Sequence, residues 1–325
     1  MEDLKGIIGR MGIYKLTPYV KQAIWGGRKL FNEYGKRGFE EIAETWELSA
    51  FEGKESTVVG GQYDGLTVTA LIKALGGKSA IGSKAPEDGS FPLLIKFIDS
   101  ASPLSIQVHP DAEIAAKIGG DAASKTEMWV ICEADEGAYL YFGMKEDTLP
   151  EDFAAAIRDG SITDKLNRVT VKAGDVFFIP SGTIHAIGAG ITICEIQETS
   201  DTTYRLYDFG RLDKDGNPRE LHIEKGTMAS NLTALTEFYE KPTALPDGGE
   251  KLVSCPFFTT YRRFGGNTFN VGEDSFSSLT VVSGSGTVVN GDCELSVSKG
   301  DTVFIPAGSG EVSVNGDIVA IDARL

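Results

Sequence analysis

Histidine is almost missing from this chain: 325 residues contain three, His109, His185 and His222. Imidazole chemistry is therefore confined to very few places. Cysteine is nearly as sparse. Cys132, Cys194, Cys255 and Cys293 stand far apart without a Cys-x-x-Cys pair. That speaks against a thiolate zinc site and a disulfide framework, and a reducing cytoplasm fits best. No apolar run approaches the roughly 18 residues that a bilayer-spanning helix needs. The opening MEDLKGIIGRMGIYKL also lacks the basic start, apolar stretch and small-residue cleavage site of a signal peptide. Positive charge is in deficit, 31 Lys and Arg against 47 Asp and Glu. A net charge of −16 repels nucleic acid and anionic membrane surfaces in general, so neither is expected as a partner. An anionic substrate would have to find its positive charge locally. Apolar residues are not lacking: at 41% of the chain they supply one large or two medium cores, and a soluble globular protein is expected.

From residue 91 onward the chain reads as many short strands rich in Val, Ile, Thr and Phe, broken by Gly and Asp turns: FPLLIKFID, LSIQVHP, MWVICEA, AYLYFG, DVFFIPSG and ITICEIQ. Helical periodicity is confined to about 67–75, about 111–118 and two short stretches within 148–168. Residues 236–250, TEFYEKPTALPDGGE, gather prolines, glycines and charges without periodicity, and strands resume at KLVSCPFFTTYRRF. The division expected is 1–240 and 241–325. One stretch occurs twice. GDVFFIPSGTIH (174–185) and GDTVFIPAGSGE (300–311) share Gly, Asp, Phe, Ile, Pro and Gly in register, both following G-x5-P-x-G-x2, with His185 where the second copy has Glu311. Gly-Asp turns into a buried strand and Pro-x-Gly ends it. The repeat is architecture, and the histidine is an addition to one copy.

G-x5-P-x-G-x2-H resembles the second half of the cupin signature. The resemblance implies a mainly β fold: two cupin-like units, each a double-stranded β-helix or jelly roll, with a small helical insertion. The first half is sought upstream. Gln107 and His109 are two apart in SIQVHPD, so a strand points both to one face. Glu127 begins another strand-like run 18 residues after His109. With His185 these give two imidazoles, a carboxylate and an amide oxygen, a donor set suited to Zn2+ or another divalent ion with positions left open. Singly, Gln107 and Glu127 read as ordinary polar residues and His109 as a loop histidine. Two of the three histidines, however, fall where such a site needs them. His222, in PRELHIEK, fits no such pattern and reads as structural or surface.

The flanking blocks narrow the likeness. SPLSIQVHPD, KTEMW, IPSGTIHAIGAGITICEIQ and SDTTYRLYDFGR are similar to signature blocks of type I mannose-6-phosphate isomerase in its short bacterial form, and AIWGGRKL and ETWELSA resemble its opening blocks. The likeness runs from about residue 13 to 224. SAFEGKESTVVGG departs from the His-Pro-containing segment the family often has there, away from every proposed ligand. The resemblance implies one Zn2+ per chain on Gln107, His109, Glu127 and His185. It implies Arg205 as the catalytic arginine, Ser105 on the phosphate side, Lys125 from the Lys-x-Glu block, and Glu195 as a pocket acid. Alternation makes this feasible, because Ser105, Gln107 and His109 share one strand face and Lys125 and Glu127 another. Lys125 and Arg205 would supply local positive charge for a sugar phosphate. Taken alone, Arg205 reads as a surface residue paired with Asp201 or Asp208, and Lys125 as an exposed loop lysine. Trp25, Trp46 and Trp129 read as core, with at most one near the pocket.

The activity implied is interconversion of mannose 6-phosphate and fructose 6-phosphate through an enediol(ate), with Glu195 or Lys125 as the proton-transferring base. The 148–168 insertion is expected either to cover the pocket mouth or to be a structural cap. A metal-dependent cupin oxygenase and a non-catalytic sugar-phosphate-binding cupin remain as alternatives. The C-terminal unit, whose VVNGDCEL offers no ligand pair, is expected to be a metal-free degenerate cupin that serves packing or association, and a homodimer is conceivable.

Overall fold

Apolar side chains alternating along short strands build three antiparallel sheets in the computed structural model, which describes residues 12–213 and 215–325. Most of the stretch read for a signal peptide, residues 1–11, lies outside the described residues. A six-stranded sheet runs in the order Val176–Ile179, Glu127–Ala134, Ile191–Glu198, Leu93–Ser100, Glu44–Leu48, Tyr19–Lys21. A five-stranded sheet follows the order Tyr204–Tyr207, Ile106–Val108, His185–Ile187, Tyr139–Met144, Leu166–Thr170. The two face each other across Ile98, Trp129, Ile131 and Ile193 from the first and Leu140, Phe142 and Ile187 from the second. This is the first of the two expected cupin units.

The six-stranded sheet is covered on both sides, and every residue of Leu93–Ser100 is buried. Leu93, Ile95 and Phe97 point away from the first barrel and join Met128, Val130, Cys194 and Ile196 against Phe276, Phe304 and Ile321 of the third sheet. A strand buried on both faces reads as an apolar run rather than an alternation. FPLLIKFID has that form.

The third sheet has ten strands and encloses its own apolar core, including Val271, Leu279, Val281, Val303, Val312 and Ala320. It also takes in Tyr14–Thr17 and Thr57–Val58, the former pairing with Thr302–Ile305. A division at 240/241 follows the chain but cuts across this sheet. The barrels are pinned together where Lys36 Nζ lies 2.7 Å from the Glu47 carboxylate and 2.6 Å from the Gly300 carbonyl, all buried in the fold. A side chain at Gly300 would meet the Tyr34 carbonyl at 2.2 Å, so this turn admits only glycine. The repeat is visible in the backbone. Gly174 (φ +91°) and Gly300 (φ +95°) open the two copies, and Gly182 (φ +91°) and Gly308 (φ +79°) close them.

Helices occupy Val68–Ala74, Ala112–Ile118, Pro150–Asp159 and Ile162–Lys165, where periodicity placed them. Thr67 and Asp111 cap the first two by accepting from the amides of Ala70 and Ile114. Three others, Lys29–Glu33, Lys78–Ile81 and Ile223–Ala229, had no clear periodic signal. The insertion does not cover the pocket mouth. Its Phe153, Ala156 and Ile157 pack on Ile106, Val108, Ala186 and Tyr204, on the outer side of the five-stranded sheet. Among the described residues no helix is long and apolar enough to cross a membrane.

Candidate metal centre and substrate cavity

On the five-stranded sheet, Ile106 and Val108 face the helical layer, so Gln107 between them faces inward. Register then sets Gln107 directly between His185 and Arg205 on the flanking strands. On the opposite sheet Val130, Cys194, Ile196 and Phe97 turn outward, which leaves Trp129, Glu195 and Lys96 side by side on the inner face. Two rows of polar side chains thus confront each other inside one barrel.

Beside these rows, one ligand atom from each of His109, Glu127 and His185 lies within 4.8 Å of the others. All three side chains are buried. His109 Nε2 is 3.6 Å and His185 Nε2 3.4 Å from the Glu127 carboxylate. Each Nδ1 is bound to a backbone carbonyl, of Thr202 at 2.8 Å and Thr183 at 2.9 Å. A carbonyl only accepts, so each Nδ1 carries the proton and each Nε2 presents its lone pair inward, as metal-ligating histidines do. Neither Glu127 oxygen accepts a well-aligned hydrogen bond, although Lys125 Nζ stands 2.9 Å from one. An orphaned buried carboxylate between two inward lone pairs fits a divalent cation. Gln107 Nε2 lies 3.2 Å from His185 Nε2, and half a turn of the amide would offer its oxygen instead. Burial pushes the His185 pKa down to about 4, so the ring is neutral and ligand-competent. Burial, then the nearby Glu195, push Glu127 up to about 7.

A cavity of about 320 Å³ opens beside this cluster. Lys21, Lys96, Lys125, Arg205 and Arg219 line it, against the carboxylates of Glu44, Glu195 and Asp201. A chain of net charge −16 therefore presents an excess of cations here. Lys96 Nζ is 3.2 Å from Glu195 and 3.7 Å from Glu44, and Lys21 Nζ is 2.8 Å from Glu44. Burial alone would raise the Glu195 pKa, but Lys96 and Lys125 outweigh it and hold the carboxyl below its ordinary value. Ser105 lines the wall as expected.

Arg205 is not paired with Asp201 or Asp208. Asp201 binds Lys54 at 2.9 Å, and Asp208 is taken by Arg211 and Arg219. Arg205 Nη1 donates to the Glu220 carbonyl at 2.9 Å, while its Nε is buried without a hydrogen-bond partner among the described residues. Its backbone N–H donates to Nδ1 of His222 at 2.9 Å, which gives that histidine a structural role beneath the arginine. The expectation of at most one tryptophan near the pocket is also corrected. Trp25 lines the cavity, Trp46 Nε1 donates to Glu44 at 2.8 Å, and Trp129 Nε1 donates to Glu195 at 2.9 Å while its ring meets the His185 ring edge-on. Lys21, Glu44, Lys96 and Arg219 escaped the sequence reading, and Asp201 was weighed only as a partner of Arg205 rather than as part of the wall. A signal existed for Lys96, the one charge amid the apolar LLIKFI.

Residues 13–140 match the family described as phosphomannose isomerase type I, catalytic domain. The chain is 33% identical over 313 residues to mannose-6-phosphate isomerase ManA of Bacillus subtilis strain 168, covering 95% of this chain and 97% of that one. This chain belongs to the type I phosphomannose isomerase family. Residues 250–324 match the mannose-6-phosphate isomerase cupin domain, so the second barrel is also part of the family pattern. A mannose-6-phosphate isomerase of Streptococcus mutans is 35% identical over 318 residues, 94% of this chain and 96% of the other. The crystal structure of the mannose 6-phosphate isomerase from Bacillus subtilis superimposes with a TM-score of 0.87 at 31% identity, over 96% of this chain and 99% of that one. Type I phosphomannose isomerase architecture thus extends over nearly the whole length.

Proposed function

We propose that this chain interconverts mannose 6-phosphate and fructose 6-phosphate, using one Zn2+ held by Gln107, His109, Glu127 and His185. The observation that carries this reading is the buried His109–Glu127–His185 cluster at the end of a cavity walled by unevenly balanced cations. The reaction moves a proton between C2 and C1 of the open sugar through an enediol(ate), and the difficulty is the weak acidity of the carbon-bound proton. A divalent ion supplies Lewis-acid polarisation of the neighbouring sugar oxygens, worth several kcal/mol. Glu195 moves the proton. It lines the cavity, is held ionised by Lys96 and Lys125, and is aimed by the Trp129 indole. Lys96, raised in pKa because Glu195 and Glu44 outweigh its burial, stays cationic and is not the base. Arg205, which lines the cavity, stabilises negative charge as it grows on the substrate oxygens. Lys125 and Ser105 hold substrate oxygens from the ligand side and the strand beside it. Four free thiols accord with a reducing cytoplasm.

A sugar-phosphate sensor would have no use for a buried Lys96–Glu195 pair beside the ligands, whose desolvation costs several kcal/mol. A redox-iron oxygenase would have no use for the cationic wall. The test is fructose 6-phosphate formation from mannose 6-phosphate by the purified protein, before chelation, after it, and after zinc is returned. Activity lost with chelator and restored by zinc is expected. A folded, zinc-loaded protein without activity would overturn the reading.

A further inference from the structure

The cations around the cavity are not equivalent. Lys21, Lys96 and Lys125 each stand within 3.2 Å of a carboxylate, of Glu44, Glu195 and Glu127 respectively. The arginines differ. Arg205 has no carboxylate partner among the described residues, and Arg219 shares one. Its Nε lies 2.7 Å from Asp208 Oδ2 and its Nη2 2.5 Å from Oδ1, a fork-to-fork pair that fixes the plane of the guanidinium. Its Nη1 donates to no protein group among the described residues and is left for a ligand.

Asp208 is itself built in. It is 6% exposed, and Arg211 grips it from the other side with Nη2 at 2.5 Å from Oδ1. Arg211 is anchored in turn on the backbone carbonyls of Asp208 and Pro103. The residue after Asp208, Phe209, has φ +55°, the one positive φ outside glycine among the described residues. Such strain persists only where surroundings over-determine it, and it gathers at functional sites. Arg205, Arg211 and Arg219 gather around the single buried carboxylate of Asp208, so this corner is richer in positive charge than the lysine side of the cavity, which suits a phosphate monoester. Burial, then Arg219, lower the Arg205 pKa, and a bound dianion would relieve the like-charge part of that cost.

We propose that Arg219 is a further phosphate-binding residue of the cavity, and that Asp208 is the positioning residue that aims it. This rests on reading the cavity as a sugar-phosphate site. It places the phosphate at the arginine corner, away from the three paired lysines.

The experiment titrates zinc-loaded wild type, Arg219→Ala, Arg219→Lys and Asp208→Asn with inorganic phosphate and with mannose 6-phosphate by calorimetry, alongside initial rates. In Arg219→Ala the Kd for both ligands and the KM should rise together about tenfold or more, the scale of a lost charge-assisted pair, with kcat within about threefold. Arg219→Lys, which keeps charge without the fork, should recover only part. Asp208→Asn should reproduce the Arg219→Ala pattern, and an Asp208→Asn/Arg219→Ala double variant, titrated in the same way, should be no worse than Arg219→Ala alone. Unchanged phosphate and substrate affinity in Arg219→Ala would overturn the assignment, as would a fall in kcat at constant KM or a wild type that binds no phosphate. Wild-type affinity in Asp208→Asn beside an impaired Arg219→Ala would overturn the positioning role. If Asp208→Asn does not fold, the two Arg219 variants decide. A wild type that binds both ligands without turning over defeats the isomerase reading alone, since the titrations still test Arg219.

Discussion

At residue 185 the repeated turn carries a fully buried histidine, and at residue 311 the same turn carries an exposed glutamate. The contrast extends through both barrels. In the first, buried charged groups are paired but not fully satisfied: Lys125 and Lys96 stand 2.9 Å and 3.2 Å from Glu127 and Glu195, yet both Glu127 oxygens, Glu195 Oε1 and Arg205 Nε make no well-aligned hydrogen bond among the described residues. In the second, buried charge closes on itself. Asp322 receives Arg263 Nε at 3.1 Å, Arg324 Nη2 at 2.8 Å and Ser277 Oγ at 2.6 Å, and the atoms left unpartnered there, on Ser278 and Asn290, are uncharged. Burial of charge is therefore common to both units. What separates a reactive cluster from a strut is whether its members satisfy one another.

The largest effect should come from separating the barrels. Phe276, Phe304 and Ile321 share a core with Phe97 and Val130, and Tyr14–Thr17 keeps only Thr57–Val58 of its two partner strands if the chain stops at 240. A fragment of residues 1–240 should show no cooperative thermal transition and collect in the insoluble fraction. A folded, active fragment would break the view that the second barrel supports the first.

Next come one substitution in each cluster. Asp322→Asn strands Arg263 and Arg324 and should cost about 3–5 kcal/mol of stability in urea unfolding while zinc content stays at wild type. Glu127→Gln should do the reverse. Zinc affinity should fall more than about 100-fold with loss of a proposed ligand. The chelated protein should be at least as stable as wild type, because burial disfavours the ionised Glu127 carboxyl. Equal destabilisation by both changes would erase the distinction between open and closed clusters.

The parts of this contrast legible in the sequence were those with a local pattern. The repeat announced the shared turn, the spacing of Gln107 and His109 announced one strand face and that of Lys125 and Glu127 another, and scarcity made His185 conspicuous. The roles of Asp208 and Arg219 were illegible because they arise from packing between a strand and the loop after it, distant from any periodicity, whereas His222 was read as structural or surface without its partner. The entry of Tyr14–Thr17 into the far sheet was hidden for the same reason: pairing across nearly 300 residues leaves no local trace. The insertion's amphipathic helix was readable, but which sheet face its apolar stripe would meet was not.

A smaller effect concerns acid. Burial alone would raise Glu44, but Lys96, Lys21 and the Trp46 indole hold it down at about 2. A carboxyl depressed from its ordinary 4.5 contributes stability that is fully present above pH 4.5 and is lost as pH falls toward 2. The shift corresponds to on the order of 3 kcal/mol. Chelated Glu44→Gln should therefore unfold in urea with a flatter dependence on pH between 4.5 and 2 than chelated wild type. An unchanged slope would mean that the charges of Lys21 and Lys96 are met without Glu44, and that the cavity wall is less closed than the Asp322 cluster.

The smallest effect should follow from giving the second copy its histidine. Glu311→His restores G-x5-P-x-G-x2-H at 300–311, yet position 311 is exposed and opposite Asn270, beside Ser309 and Ser313. No second imidazole or inward carboxylate joins it there among the described residues. A lone surface imidazole cannot desolvate and fix an ion that is surrounded by water on most sides. Zinc per chain should stay unchanged by elemental analysis after dialysis, with stability within about 0.5 kcal/mol of wild type. A second bound ion would mean that the turn itself organises the metal. A null result would place that capacity in the facing strand pair, where Gln107 and Glu127 are supplied to the first barrel alone.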